Sequence, residues 1–182
     1  QVFGGHGFIR EWGQEQYVRD TRITQIYEGT NGIQALDLMG RKIVANNGQF
    51  YELFAREVAD FVDANRDDAA LAEFIPSLAA ALERLSDVTE HVIKVSAANP
   101  NEIGAASVDY LDLFGMTALA YLWARMAKAA LPKAEGDTSG FYTGKVKTAR
   151  FYFSRLLPRT LSLAESVRSG SDTMMALAAN EF

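Results

Sequence analysis

The fold class follows from one stretch of the chain, residues 109–132, which reads DYLDLFGMTALAYLWARMAKAALP. Its larger apolar side chains fall on nearly every side of a helix with about 3.6 residues per turn. These side chains belong to Leu111, Phe114, Leu119, Leu122, Trp123 and Met126. The pattern predicts a helix over about 103–131 that ends at Pro132, because proline interrupts helical hydrogen bonding. A helix that is apolar all round is predicted to be the most buried one.

Three further long helices are predicted around this stretch, and no segment alternates apolar and polar residues as a strand would. The first covers about 49–65, where apolar residues recur every three or four positions. The second covers about 69–97 with Pro76 near its start, and the third covers about 139–169 with a kink at Pro158. The predicted class is all-α, with a four-helix bundle whose short loops suit antiparallel neighbours.

The character of the sequence changes near residue 46. Glycines and aromatic residues are dense before this point, whereas alanine- and leucine-rich segments follow it. The intervening Asn-Asn-Gly at 46–48 is typical of a helix end. We therefore predict two domains, residues 1–46 and 47–182.

Shorter helices are also predicted. One covers residues 14–22, and one begins at Thr30 or Asn31, either of which can cap it, and runs to about Ala45. A last short helix is predicted at 171–180. The chain opens with Gln1 rather than methionine, so we expect it to be a fragment of a longer protein.

Composition excludes several classes of function. The net charge of −5 argues against a nucleic-acid partner, which usually requires a basic surface. The absence of cysteine excludes disulfides and thiolate metal sites and is typical of a cytoplasmic protein. The two histidines, His6 and His91, are not spaced as metal ligands, so no metal is expected. The longest uncharged apolar stretch, Leu113 to Ala124, is shorter than the roughly 20 residues of a membrane span.

The opening segment QVFGGHGF, residues 1–8, allows two interpretations. Glycines let a backbone approach a phosphate closely, and the exposed N–H groups then bind the anion. Alternatively, one glycine adopts the left-handed conformation at a helix end and a turn follows. A glycine cluster by itself favours the second interpretation, because it is a weak signal for phosphate binding.

The segment IYEGTNG, residues 26–32, also allows two interpretations. Glu28 follows two apolar residues, and burial against apolar surface raises the pKa of a carboxylate, which makes it a better base. Gly29 lets a substrate pass close to the backbone. Alternatively, Glu28 is a solvated acid near a helix N-terminus, where the helix dipole favours it. The spacing of these residues alone does not decide between the two interpretations of Glu28.

Taken together, residues 1–43 resemble the C-terminal signature of acyl-CoA dehydrogenases. That family carries Q-x-x-G-G-x-G, R-D-x-R-I and Y-E-G-T elements in this order and at this spacing. Here they are Gln1–Gly7, Arg19–Ile23 and Tyr27–Thr30. The resemblance implies that this region is the end of the family's C-terminal helical domain.

The resemblance also implies an active site. Glu28 stands at the position of the base that removes the α-proton of an acyl-CoA thioester, while a flavin accepts the β-hydride. The Glu28 N–H would help to bind the thioester carbonyl, and Gly29 and Tyr27 would contact the substrate. Arg19, Asp20 and Arg22 are interpreted as a structural, ion-paired helix that holds the Glu28 loop.

The cofactor implied by the resemblance is FAD. Thr30, Asn31 and Gly32 would contact it directly. A second group would contact the adenosine-diphosphate part of the FAD bound mainly by a neighbouring subunit, which implies a dimer-based homo-oligomer. The second group consists of Gln1, Val2, Phe3, Gly4 and Gly5. The electron acceptor implied for the parent enzyme is an electron-transfer flavoprotein, and no role is assigned to His6.

The remainder of the chain resembles the additional C-terminal helical domain of larger bacterial acyl-CoA dehydrogenases, including the 3-methylmercaptopropionyl-CoA dehydrogenases. Between Thr138 and Ala164 it carries basic residues and no acid. These are Lys145, Lys147, Arg150, Arg155 and Arg159. We favour a basic face that pairs with acidic helices such as 57–68, or with the rest of the enzyme. The alternative is an electropositive surface near the phosphates of coenzyme A.

The same resemblance implies that these 182 residues alone lack most of a flavin site and are inactive. A rival hypothesis treats residues 47–182 as a non-catalytic module for oligomerisation or for docking to a partner.

Overall fold

The structure is a computed structural model that describes residues 2–25 and 30–181. Every regular element in these two ranges is helical, and neither range contains a strand. The predicted all-α class is therefore confirmed.

Contacts divide the chain into two compact units, Gln1–Ile33 and Gln34–Phe182. The second unit begins before residue 46 because Met39 and Ile43 are buried in its core. The assignment of residues 1–46 and 47–182 to two domains stays a prediction about how the sequence is organised.

The first unit contains short elements. They are 3₁₀ turns at Gly4–Phe8, Arg10–Trp12 and Ile23–Gln25, and the helix α1 at Glu15–Arg22. Helix α1 matches the short helix predicted at 14–22. Most of the large apolar side chains described in this unit are exposed. They include Val2, Phe3, Phe8, Trp12, Tyr17, Ile23 and Ile33.

The boundary between the units falls in α2, Asn31–Leu36, which continues as a π-helical segment, Asp37–Ile43, and a 3₁₀ turn, Val44–Asn46. The helix end predicted at Asn-Asn-Gly, residues 46–48, is confirmed, because Asn47 and Gly48 both have positive φ values, 53° and 78°. Gly48 is also constrained by packing, since a Cβ there would lie 3.2 Å from Cδ1 of Ile93.

The second unit is a bundle of long helices. They are α3 at Gln49–Ala64, α4 at Ile75–Ser96, α5 at Asn101–Ala134, α6 at Phe141–Phe151 and α7 at Thr160–Arg168. A π-helical segment, Tyr152–Leu156, and a 3₁₀ turn, Leu157–Arg159, join α6 to α7 into one interrupted rod. This rod is the fourth member of the bundle.

Hydrogen bonds between side chains show that consecutive members run antiparallel. Tyr51 near the start of α3 lies 2.5 Å from Ser86 in the second half of α4, hydroxyl to hydroxyl. Thr89 late in α4 lies 2.8 Å from Tyr110 early in α5. Just after the rod, the Ser171 hydroxyl donates to the carboxylate of Glu102 at the start of α5 at 2.6 Å. The antiparallel four-helix arrangement follows from these contacts.

Helix α4 begins later than the predicted residue 69. The Asp68 side chain accepts a hydrogen bond from the N–H of Ala70 at 2.9 Å and caps a separate 3₁₀ turn, Ala69–Leu71. Pro76 then lies in the first turn of α4, as predicted, where its missing N–H costs nothing.

The prediction that α5 ends at Pro132 is wrong, because the helix continues to Ala134. A proline in the last turn removes only one helical hydrogen bond, so the helix can carry it there. By contrast, Pro158 lies in the middle of the predicted 139–169 helix and interrupts it, as expected. The short helix predicted at 171–180 is also wrong, since a 3₁₀ turn at Ala179–Glu181 is the helical element described there.

Helix α5 packs against α4, α6 and α7, so its central place is as predicted. It is not buried on every side, because Leu119 and Leu122 are 48% and 45% exposed. The expectation that its apolar pattern means burial all round is therefore only partly correct.

The core of the bundle contains a hydroxyl relay between α4 and α5. Thr89 and Tyr110 are both nearly inaccessible to solvent. The Thr89 hydroxyl donates to the carbonyl of Leu85 at 2.7 Å, and it therefore accepts from the Tyr110 hydroxyl. Burial raises the pKa of Tyr110, which keeps its hydroxyl protonated and able to donate.

Thr89→Val should lower the free energy of unfolding by about 1–3 kcal/mol, because it leaves a buried Tyr110 hydroxyl without an acceptor. Tyr110→Phe should cost about 0.5–1.5 kcal/mol, since Thr89 keeps its bond to Leu85. Urea titration of both variants and of the double variant checks this. The double variant should lose less than the sum of the single losses, and strict additivity would contradict the relay.

A polar clasp ties the segment after α7 to the start of α5. One carboxylate oxygen of Glu102 accepts hydrogen bonds from the Ser171 hydroxyl at 2.6 Å and from the Asn99 amide at 3.1 Å. Gly170, with a φ of 72°, packs against the Glu102 side chain. A Cβ placed on Gly170 would lie 3.1 Å from the other carboxylate oxygen of Glu102. The pKa of Glu102 lies below its usual value, chiefly because the Ser171 hydroxyl donates a hydrogen bond to the carboxylate. Hydrogen bonds from the Ser171 N–H and from Asn99, and the electrostatic effect of His91, act in the same direction.

The pKa of Glu102 is lower in the folded state than in the unfolded state. Its negative charge therefore stabilises the fold at pH values above the pKa of the unfolded state, which is about 4.3. That contribution is lost as the pH falls through the lower pKa of the folded state. Glu102→Gln should therefore lower the thermal unfolding midpoint by about 2 °C at pH 6 to 7, and by less as the pH approaches 3. The exposed Glu165 of α7 provides the control, Glu165→Gln. A Glu102→Gln effect that does not change with pH would contradict the role of the charge.

Candidate functional site

The structure describes seven of the residues predicted to form the active site. They are Val2, Phe3, Gly4, Gly5, Thr30, Asn31 and Gly32. All seven belong to the Gln1–Ile33 unit. The predicted base Glu28 and its neighbours Tyr27 and Gly29 lie outside the described residues, as does Gln1. Their assignments stay predictions.

The glycine-rich segment forms an exposed turn. Gly4 has a φ of 57°, in the left-handed region, and it begins the 3₁₀ turn Gly4–Phe8. No atom lies within 4 Å of a Cβ placed on Gly4 or Gly5, so the space above this backbone is open. The left-handed glycine agrees with the structural interpretation, and the open backbone agrees with the close approach of a phosphate.

A pocket of about 530 Å³ lies beside this turn. It is lined by Phe3, His6, Gly7, Trp12 and Gln14. Two aromatic rings, an imidazole and a carboxamide suit a flat heterocycle with polar edges, which can stack and form hydrogen bonds. The sequence assigned a role to Phe3 but not to His6 or Trp12. The one signal for them was their closeness in sequence to the glycines.

The other predicted cofactor contacts lie at the start of α2. The helix begins at Asn31, as predicted, and Thr30, Asn31 and Gly32 are all exposed. Nothing lies within 4 Å of a Cβ placed on Gly32. These backbone and side-chain groups are therefore accessible to a ligand.

Helix α1 carries a polar network that includes Arg19 and Asp20, and its predicted role in holding the Glu28 loop stays a prediction. The carboxylate of Glu15, which is 6% exposed, forms an ion pair with Arg19 one turn later. The Gln16 side chain bridges this pair to its neighbour, since it accepts from Arg19 and donates to Asp20, both at 2.7 Å. The network fixes the polar side of α1.

In the bundle, basic residues of the segment Thr138–Ala164 contact an acid at one position and aromatic rings at another. The Arg150 guanidinium donates to both oxygens of Glu73, each at 2.9 Å, in a bidentate pair. This acid lies outside the predicted partner region 57–68. Lys145 instead lies over the rings of Trp123 and Phe141, at 5.8 Å and 5.4 Å from their centroids. The basic face thus pairs with an acid at one residue and with aromatic rings at another.

The aromatic and methionine side chains in the last part of the chain are divided between core and surface. Tyr152 and Phe153 are buried, whereas Phe141 and Phe151 are exposed. Two methionines beyond α7, Met174 and Met175, are exposed as well.

Residues 2–25 and 30–181 contain neither a metal-binding cluster of side chains nor a helix suited to a membrane. Within these ranges no three histidine, aspartate or glutamate side chains are grouped so that they could hold a metal ion. In the same ranges no helix, not even α5, combines the length and the apolar character that crossing a membrane requires.

Two family models match the chain. Residues 54–178 match the model described as acetyl-CoA dehydrogenase C-terminal like. Residues 1–43 match the model described as acyl-CoA dehydrogenase, C-terminal domain. The longer match lies entirely within the second compact unit.

Curated relatives match across both regions. The chain is 31% identical, over 97% of its own length, to a broad-specificity linear acyl-CoA dehydrogenase FadE5 of Mycobacterium tuberculosis. It is 32% identical, over 96% of its length, to a 3-methylmercaptopropionyl-CoA dehydrogenase of Ruegeria pomeroyi. The chain spans 31% and 30% of the lengths of these two relatives.

A third relative shares a short segment at higher identity. It is a mitochondrial short-chain specific acyl-CoA dehydrogenase of Rattus norvegicus, 52% identical over 40 residues, which is 22% of this chain and 10% of the relative. The two family models together with the relatives show that the chain belongs to the acyl-CoA dehydrogenase family.

Proposed function

We propose that the chain is part of an FAD-dependent acyl-CoA dehydrogenase that oxidises an acyl-CoA thioester to the trans-2-enoyl-CoA. The observation that carries the proposal is the match of both regions of the chain to acyl-CoA dehydrogenase C-terminal models. Residues 1–46 are proposed as the end of the catalytic helical domain and residues 47–182 as an additional helical domain.

Glu28 is the proposed catalytic base. Its carboxylate takes the α-proton of the thioester, so that the electrons of the broken C–H bond begin to form the α–β double bond. The Glu28 N–H donates to the thioester carbonyl, which acidifies the α-carbon. Gly29 and Tyr27 contact the acyl-CoA. A positioned base of this kind contributes about 10²–10⁴-fold in rate.

FAD, when bound, supplies the acceptor for the hydride that leaves the β-carbon. Phe3 and the open backbone of Gly4 and Gly5 fit the adenosine-diphosphate part, because the adjacent pocket offers aromatic walls and the glycines allow close approach. Gln1 and Val2 complete this group. Thr30, Asn31 and Gly32, exposed at the start of α2, would contact the cofactor separately.

The proposed partners follow from the same chemistry. The parent enzyme would pass its electrons to an electron-transfer flavoprotein, act in β-oxidation or a related pathway in a bacterial cytoplasm, and form a dimer-based homo-oligomer.

In the parent enzyme, Glu28→Gln should leave the flavin content unchanged while flavin reduction by acyl-CoA slows by at least about 10²-fold. The reason is that the amide keeps the size of the side chain but cannot accept the α-proton. Stopped-flow absorbance of the flavin measures the reduction. The matched control is Glu11→Gln, which lies in the same unit and outside the proposed site. A Glu28→Gln rate near that of the wild type would exclude this residue as the base.

The 182-residue chain alone should neither bind FAD tightly nor turn over acyl-CoA, since it spans about 30% of the length of its relatives. Equilibrium dialysis against FAD and an electron-acceptor dye assay check this. A yellow, active preparation of the chain would overturn the proposal that the flavin site is mostly elsewhere.

A second candidate function is favoured by a different observation. Residues 47–182 would act as a non-catalytic module for oligomerisation or docking, because the long α5 keeps apolar side chains such as Leu119 and Leu122 exposed. This role is compatible with the enzymatic one in the parent protein.

A further inference from the structure

A pocket of about 160 Å³ lies in the second compact unit, between α4 and the interrupted rod. We call it the Arg84 pocket. Helix α4 lines it with Ser77, Ala80 and Arg84, and the rod lines it with Phe153, Leu157 and Leu161. The pocket lies where the rod passes from its π-helical segment into the 3₁₀ turn. Irregular turns of this kind within helices frequently occur at functional sites.

Arg84 is held in this pocket by a buried hydroxyl. Its Nη1 donates a hydrogen bond to Oγ1 of Thr160 at 2.9 Å. Thr160 is fully buried, and its hydroxyl donates in turn to the carbonyl of Leu157 at 2.6 Å. Because the one hydroxyl hydrogen is used on Leu157, Thr160 accepts from Arg84. The guanidinium is therefore fixed at one of its nitrogens, and its other N–H donors can bind a further partner.

Arg84 has no carboxylate beside it in the described part of the chain. No ion pair formed within residues 2–25 and 30–181 includes Arg84, although its side chain is half-buried. A neighbouring pocket of about 380 Å³, which shares Ser77 and Phe153 with the Arg84 pocket, provides a comparison. There Arg150 binds both carboxylate oxygens of Glu73. Two arginines thus line adjoining pockets, and one of them lacks the carboxylate that a partly desolvated guanidinium favours.

We infer that the Arg84 pocket binds a free aliphatic carboxylic acid in its ionised form. The carboxylate accepts hydrogen bonds from the Arg84 guanidinium, as Glu73 does from Arg150. The aliphatic chain lies on Phe153 and Leu161 and continues towards the neighbouring pocket. This inference does not depend on the proposed catalytic activity.

The apolar part of the lining favours an acid with an aliphatic chain over an inorganic anion. Leu161 is 55% exposed, so a chain that covers it removes apolar surface from water. A pocket with apolar walls and a few polar groups at one end is typical of sites for small amphipathic molecules. An inorganic anion would leave those walls exposed and would gain contacts at Arg84 alone.

The polar part of the lining favours a free acid over a carboxylate side chain of a protein segment. Such a segment brings backbone N–H and C=O groups, which need hydrogen-bond partners once they are removed from water. The Thr160 hydroxyl is already engaged on both sides, by Arg84 and by Leu157. Besides Arg84, the side chain that the described lining still offers to such groups is that of Ser77.

The test is titration calorimetry of the full 182-residue chain with octanoate. Binding should be saturable, with a dissociation constant of about 1 mM or lower. Arg84→Gln should weaken it by about 10–100-fold, because the carboxylate loses its charged donor. Arg155→Gln is the matched control, since Arg155 is an exposed arginine of the rod that does not line the pocket. It should change the dissociation constant by less than about twofold.

A second pair of variants keeps Arg84 and tests the pocket itself. Ala80→Leu fills the space from an exposed position of α4 without loss of helix propensity. It should weaken octanoate binding by at least about 10-fold. Ala129→Leu, at an exposed alanine of α5, should leave binding unchanged. Acetate should bind at least about 10-fold more weakly than octanoate, because it lacks the aliphatic chain.

The parent enzyme separates a free acid from a carboxylate of its own chain. Octanoate should bind the parent enzyme in a way that Arg84→Gln weakens and Arg155→Gln does not. Binding to the 182-residue chain that disappears in the parent would show that another part of the enzyme fills the pocket, and it would overturn the inference. So would an absence of saturable binding, equal effects of the two glutamine variants or of the two leucine variants, or acetate binding as tight as that of octanoate.

Discussion

The packing of α5 against its neighbours is the interaction on which the rest of the bundle depends. This helix contributes the tyrosine of the Thr89–Tyr110 relay, the rings that meet α3, and the carbonyl of Met116 that Tyr152 binds. Each neighbouring helix is thus held through α5 as well as through the general apolar core. Loss of a partner in the buried relay costs more than loss of an exposed contact, because water cannot replace the missing hydrogen bond.

The interruption between α6 and α7 allows both helices to pack on α5. The π-helical segment Tyr152–Leu156 and the following 3₁₀ turn absorb Pro158 and let α6 and α7 both lie on α5. The clasp of Glu102 with Ser171 then fixes the end of the rod at the start of α5. In this way the C-terminal end of the interrupted helix is fixed to α5.

The two units of the chain support function in different ways. In the first, exposed glycines and a pocket lined by Phe3, His6 and Trp12 are suited to a ligand. In the second, the described polar groups mostly hold helices together, and several large apolar side chains are exposed, among them Leu119 and Leu122 of α5. The proposed chemistry therefore rests on the first unit, and the proposed association rests on the second.

The sequence by itself determined the all-α class, the positions of the long helices and the family, because helical periodicity and ordered motifs are local properties of a chain. It also located the helix end at Asn47–Gly48, where the backbone has positive φ values. It could not determine that Met39 and Ile43 join the bundle core, that Arg150 pairs with Glu73, or that one side of α5 stays open. Those outcomes depend on which distant residues meet, and an apolar pattern shows that a side chain prefers burial without showing what buries it.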